Sequence, residues 1–125
     1  MDEKHLLNII ANKRNKVGKI SIATLEGYSL IELDTILYLE SQNAYTTFYL
    51  QDGSKLLSTK NIGYFEEALL DEPFLRVHNS CIVNLSKVTK YVKADEGYVI
   101  LCTGKPIKVS RSKRDSLLIF FQSVR

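Results

Sequence analysis

From Lys19 onward the apolar positions fall in short runs, each closed by a polar or glycine-containing break. The runs predict strands over residues 20–23, 28–33, 36–40, 45–51, 55–58, 75–77, 81–85, 88–93, 98–102 and 107–109. Apolar and polar side chains alternate in Thr47-Phe48-Tyr49-Leu50 and in Tyr98-Val99-Ile100-Leu101, the period of a strand with two unlike faces. Breaks fall at Glu26-Gly27, Asp52-Gly53, Asp95-Glu96-Gly97 and Thr103-Gly104-Lys105-Pro106. Asp-Gly between two alternating runs is a tight-hairpin signal, because glycine accepts the left-handed backbone that such turns need. Ile62, Phe65, Ala68 and Leu69 recur at helical spacing, with Ser58 or Thr59 as the expected cap and Pro73 just beyond the end. A second, shorter helix is expected to start at Ser110 or Ser112 and to carry Leu117, Leu118, Phe120 and Phe121. Strands and helices do not alternate, so the fold is mostly β and antiparallel with little helix.

Residues 1–18 read differently. Leu6, Leu7, Ile9 and Ile10 make a short amphipathic stretch, followed by a polar run that ends at Gly18. They are expected to form a linker or helical tail, with one domain over residues 19–125. A chain of 125 residues with 45% apolar content is enough for one packed core. No apolar run reaches the length of a bilayer span, and the charged N-terminus lacks the apolar segment of a secretory signal. A reducing cytoplasm is therefore expected, with Cys81 and Cys102 as buried small hydrophobes.

Charge is distributed unevenly. Residues 1–72 carry 7 Lys/Arg against 11 Asp/Glu, whereas residues 73–125 carry 10 against 3. Lys105, Lys108, Arg111, Lys113 and Arg114 form a run without a carboxylate, which suits a polyanion. Catalytic chemistry finds little to work with. His5 and His78 are the only histidines, and His5 lies in the tail. No His or Cys pair has metal-ligand spacing, and no glycine-rich loop could cradle a phosphate. Ser80 or Cys81 with His78 lies too close in sequence to point to a nucleophile and base, and Asp95-Glu96 sits at a hairpin tip. Neither an enzyme nor a cofactor is expected.

Two polar loops carry the functional signal: His78-Asn79-Ser80 between two strands, and Ser110-Arg111-Ser112-Lys113-Arg114 some thirty residues later. Alone, His78 would be a strand-end histidine bonded to backbone, and Asn79 a turn residue. Tyr45, Tyr49, Tyr64, Tyr91 and Tyr98 read as strand and helix packing rather than a stacking platform. Together the loops supply asparagine and arginine, the side chains that make bidentate contacts to adenine and guanine edges, beside cations suited to phosphate.

At these residues the chain resembles the LytTR-type DNA-binding domain, the output module of LytR/AlgR-family bacterial response regulators. The resemblance is carried by Ile36-Leu37-Tyr38-Leu39-Glu40-Ser41-Gln42-Asn43-Ala44-Tyr45-Thr46-Thr47 and by Asp52-Gly53. It continues through Ser58-Thr59-Lys60-Asn61-Ile62, the segment from Phe74 to Leu85, Gly97-Tyr98-Val99 and Ile107-Lys108-Val109-Ser110-Arg111, and so spans roughly residues 19–121. It implies an elongated fold of short antiparallel strands in three small sheets with one short helix. It also implies sequence-specific binding to double-stranded DNA at promoter repeats, by a transcription regulator in a two-component system.

Carried over by motif, His78 and Asn79 match a base-reading loop and Arg111 matches an arginine that reads a base from the second loop. Thr46, in the segment with Asn43 and Tyr45, falls where some members place a third base contact. Arg76, Ser80, Lys113 and Arg114 match phosphate-contacting neighbourhoods, and Lys108 of the basic run is expected to bind DNA with them. A receiver domain would precede this module and is expected to be missing from the chain, and a homodimer on DNA is expected. Two rival readings stand beside this one: a small β-barrel that binds single-stranded nucleic acid, and a protein-interaction module with an acidic partner.

Overall fold

The computed structural model describes Glu3, residues 18–94 and residues 96–124. The tail expected over residues 1–18 therefore lies outside the described residues, apart from Glu3 and Gly18.

All ten expected strands form, within one or two residues of their expected ends. β1 (Lys19–Thr24) and β2 (Gly27–Glu32) make a two-stranded hairpin. β3 (Ile36–Gln42), β4 (Tyr45–Leu50), β5 (Lys55–Ser58), β6 (Phe74–His78) and β7 (Cys81–Asn84) make a five-stranded sheet in the order β5-β4-β3-β7-β6. β8 (Val88–Val92), β9 (Tyr98–Leu101) and β10 (Pro106–Lys108) form a third, three-stranded sheet in the order β10-β9-β8. Every pairing is antiparallel.

Helix α1 (Ile62–Ala68) is capped by Asn61, whose Oδ1 accepts the Tyr64 N–H at 2.9 Å, and not by Ser58 or Thr59. Ser58 is the last residue of β5 and Thr59 lies in the turn after it, so both come too early. Helix α2 (Arg114–Ser123) runs for 10 residues against 7 in α1, so the C-terminal helix is the longer, against expectation. Leu117, Phe120 and Phe121 on one side of it pack into a hydrophobic core, which stabilises the longer helix, while Ile119 faces water.

The five-stranded sheet lies between two cores. On one face Leu39, Phe48 and Ile82 pack against Ile62, Phe65 and Leu69 of α1 and against Ile22 of β1. On the other, Tyr38, Val77, Cys81 and Val83 pack against Val99, Leu101, Ile107, Val109 and Leu117. Neighbours in sequence such as Tyr38 and Leu39, or Ile82 and Val83, thus enter opposite cores, as the two-residue period of a strand requires. A register shift between Ile36 and Tyr38 inserts one residue, so Ile36 and Leu39 share one core while Leu37 and Tyr38 share the other.

Cys81 is buried, and desolvation pushes its thiol up to about 12. Cys102 corrects the expectation that both thiols are buried. It is exposed in the β9–β10 turn, one residue beyond buried Leu101, where the chain has left β9. Gly97 is the glycine that this sheet needs. It is buried at φ +35°, and a Cβ there would meet the Tyr91 hydroxyl at 3.2 Å and Arg114 Nε at 3.3 Å.

Candidate nucleic-acid interface

Strand direction decides which loops meet. Glu40 of β3 pairs with Cys81 of β7, and Cys81 pairs with His78 of β6, so the β3–β4 and β6–β7 turns leave the same end of the sheet. The Ser41 N–H donates to the Ser80 carbonyl at 2.9 Å and ties these turns together. The loop after β10 joins them through a bulge. Register shifts between Arg76 and His78, which makes Val77 the extra residue, and its carbonyl accepts the Ser110 N–H at 2.7 Å. One backbone bond thus sets the Arg111 loop beside the His78 turn.

Within the turn, the Ser80 backbone N–H donates to His78 Nδ1 at 3.2 Å, with the Ser80 hydroxyl 3.3 Å away. A backbone N–H can only donate, so Nδ1 accepts and the neutral ring carries its proton on Nε2. His78 is half-buried, and desolvation lowers its pKa below 6.5, with Lys108 and Arg76 pushing the same way against an opposing pull from Glu40. Protonation would cost the ring its bond from Ser80. A depressed folded pKa means that the stability contributed by the neutral ring is full above the unfolded value and is lost as pH falls through the folded one. Denaturant unfolding at pH 7.5 and pH 5.5 should therefore show a larger acid loss for the wild type than for His78→Gln. Equal losses would show that the imidazole proton is not linked to folding.

Asn79 and Arg111 are exposed. Arg111 opens a 3-10 turn (Arg111–Lys113) in which the Lys113 N–H donates to the Ser110 carbonyl at 3.0 Å. In the third turn, Asn43 adopts the left-handed backbone at φ 58°, and Tyr45 is 41% exposed. Lys108 is exposed, with its ammonium 3.6 Å from the carboxylate of Glu96, which is exposed too, a pair that water screens to about 0–1 kcal/mol.

Three expected contact residues are placed otherwise. Thr46 is fully buried and its hydroxyl donates to the Lys60 carbonyl at 2.8 Å, so it is withdrawn from the surface as a base reader. Arg76 is spent on structure: Nε and Nη2 donate to the Asn79 carbonyl at 3.2 and 2.6 Å, and Nη1 pairs with Glu66 of α1 at 3.0 Å. Its guanidinium braces the turn that presents Asn79. Arg114 is half-buried and lies against Gly97, turned toward the β8–β9 connection.

Glu40 was not anticipated. It lies in the cross-strand row His78–Cys81–Glu40, is exposed, and accepts a hydrogen bond from the Tyr49 hydroxyl at 3.3 Å. Strand pairing, invisible in a single sequence, brings it near the imidazole. Four of the tyrosines contact protein rings: Tyr38 stacks on Tyr49 at 4.3 Å and Tyr91 on Phe121 at 6.2 Å, and Tyr64 sits edge-on to Phe65 at 5.1 Å.

Among the described residues no group of three or more His, Cys, Asp or Glu side chains could hold a metal ion, and no helix is long and apolar enough to cross a membrane. A comparison with curated proteins finds no match. Among solved structures, a LytTr DNA-binding domain of a putative methyl-accepting/DNA response regulator from Bacillus cereus superposes with a TM-score of 0.67 at 20% identity. The match covers 80% of this chain and 93% of that one, and shows the same fold. A family model described as the LytTr DNA-binding domain matches residues 26–121. With three small antiparallel sheets and most of its length matched by that model, the chain belongs to the LytTR family of DNA-binding domains, which is not a family of enzymes.

Proposed function

We propose that this domain reads specific sequences in double-stranded DNA as the output part of a bacterial transcription regulator of the two-component type. The observation that supports the reading is the Ser110–Val77 backbone bond, which holds the His78-Asn79 turn and the Arg111 loop side by side. Asn79 suits a bidentate contact to adenine and Arg111 one to guanine, while His78 offers a single Nε2 donor to a base acceptor. Ser80 orients His78, Asn43 and Tyr45 flank the reading loops, and Lys108 and Lys113 supply phosphate contacts.

The whole regulator would carry a receiver domain and would bind promoter repeats as a homodimer in the cytoplasm. The rival single-strand reading needs an aromatic platform, whereas Tyr38, Tyr49 and Tyr91 are stacked on neighbouring rings of the protein.

In-vitro selection from a random duplex pool should enrich a repeat with half-sites about one helical turn apart, roughly 10 bp. An unenriched pool, or tighter binding to single strands, would overturn the reading. Lys113→Ala should weaken selected and scrambled duplexes alike, by about 1 kcal/mol or less, and flatten the log–log salt dependence by about 0.9. If Lys113→Ala discriminated between the two duplexes, that side chain would be reading bases.

A further inference from the structure

We propose that Lys60 anchors a DNA phosphate at this same end of the molecule, and that Thr46 and Ser58 are positioning residues that hold it there. The inference rests on the double-stranded DNA reading above and adds to it a contact from a third connection, between β5 and α1.

Topology brings this connection to the reading end. β4 starts there, just after the Asn43 turn, and its Thr46 pairs in register with Ser58 at the end of β5. The chain therefore leaves the sheet at Ser58 beside the β3–β4 turn, before Asn61 caps α1. Lys55, at the other end of β5, lies beside the Asp52 hairpin and away from this site.

Thr46 and Ser58 are both 0% exposed, and buried hydroxyls cost free energy unless their hydrogen bonds are made. Those bonds converge on one residue. Thr46 Oγ1 donates to the Lys60 carbonyl at 2.8 Å, and the Lys60 N–H donates to Ser58 Oγ at 3.2 Å. Ser58 Oγ donates in turn to the Ala23 carbonyl at 2.7 Å, and the Thr59 N–H reaches the same carbonyl at 3.1 Å. Both backbone polar groups of Lys60 are thus fixed from the interior while its side chain is exposed. The ammonium stands 5.4 Å over the Tyr64 ring, which limits its sideways motion and leaves its N–H donors open to an anion. A preorganised cation loses less freedom on binding than a mobile one. The same arrangement explains why Thr46 has left the surface: it acts through Lys60.

The test is fluorescence anisotropy of the full chain with a selected duplex and a scrambled one, over a range of salt concentrations. Lys60→Ala is expected to weaken both duplexes several-fold and to make the log–log slope shallower by about 0.9. Thr46→Val, which removes the donor at constant shape, should cause a smaller loss of the same kind, and Thr46→Ser should restore binding. A Lys60→Ala protein with unchanged affinity and slope overturns the inference while leaving the DNA reading intact. Absence of wild-type binding to either duplex overturns both. A Thr46→Val effect without any change in salt slope would show that the hydroxyl only closes the β5–α1 junction, and would overturn its positioning role.

Discussion

Replacing Arg111 by alanine should weaken binding to the selected duplex by about 1–3 kcal/mol and relax preference at one base position, while scrambled duplexes lose much less. Arg111 is exposed and belongs to neither core, so thermal unfolding should be unchanged and the loss is a recognition effect. The size follows from geometry. A guanidinium meets guanine with two parallel hydrogen bonds, and a rigid loop bears most of the ordering cost before DNA arrives. That rigidity comes from Ser110, whose N–H is fixed on Val77 and whose carbonyl closes the 3-10 turn. Arg111→Lys should recover part of the affinity and little of the base preference, because an ammonium keeps the charge and loses the planar fork. Equal losses on selected and scrambled duplexes would move Arg111 to the phosphate backbone.

Much of this arrangement could be read from the chain. The ten strands declared themselves by length and alternation, and the breaks at Asp52-Gly53 and Gly97 sit at the positive φ values that glycine permits. That Asn79 and Arg111 stand exposed at loop tips was legible, because polar residues between apolar strands fall at the turns. What could not be read depends on pairing between distant segments. Thr46 and Arg76 look like surface polar residues in sequence, yet register turns Thr46 inward onto Lys60 and sets Arg76 between Glu66 and Asn79. The two bulges, at Ile36–Tyr38 and Arg76–His78, leave no signature in composition, and the second of them shapes the turn that carries His78 and Asn79. Cys102 shows a related failure. Its apolar neighbours belong to β9, but the strand ends at Leu101 and the next side chain faces water.

The largest stability effect is expected from Asn84, an uncharged residue inside the Phe74–Leu85 segment that carries the family resemblance. It is 1% exposed at the end of β7 and uses its full hydrogen-bonding capacity. Nδ2 donates to the Ile36 carbonyl at 2.8 Å and the Leu33 carbonyl at 3.3 Å, while Oδ1 accepts the Ser86 N–H at 3.1 Å and the Ser86 hydroxyl at 2.6 Å. One amide thereby joins the 3-10 turns that lead into β3 and β8, at the end of the sheet away from the His78 turn and the Arg111 loop. Asn84→Ala leaves several of these groups without partners in a site closed to water, and should cost about 2–4 kcal/mol, a large share of the stability of a domain this size. Asn84→Asp at neutral pH should cost more, because a carboxylate would face two carbonyl oxygens. Burial and those carbonyls would raise its folded pKa above the unfolded value, so the variant should be least unstable in acid and lose further stability as pH rises through the folded pKa. Urea unfolding at pH 5 and pH 7 checks both points, and an Asn84→Asp protein as stable as the wild type at pH 7 would refute the hydrogen-bond account. Because the site lies away from the reading end, the folded fraction of either variant should keep the wild-type affinity for the selected duplex. A loss of affinity beyond the unfolded fraction would mean that the two ends of the sheet are coupled.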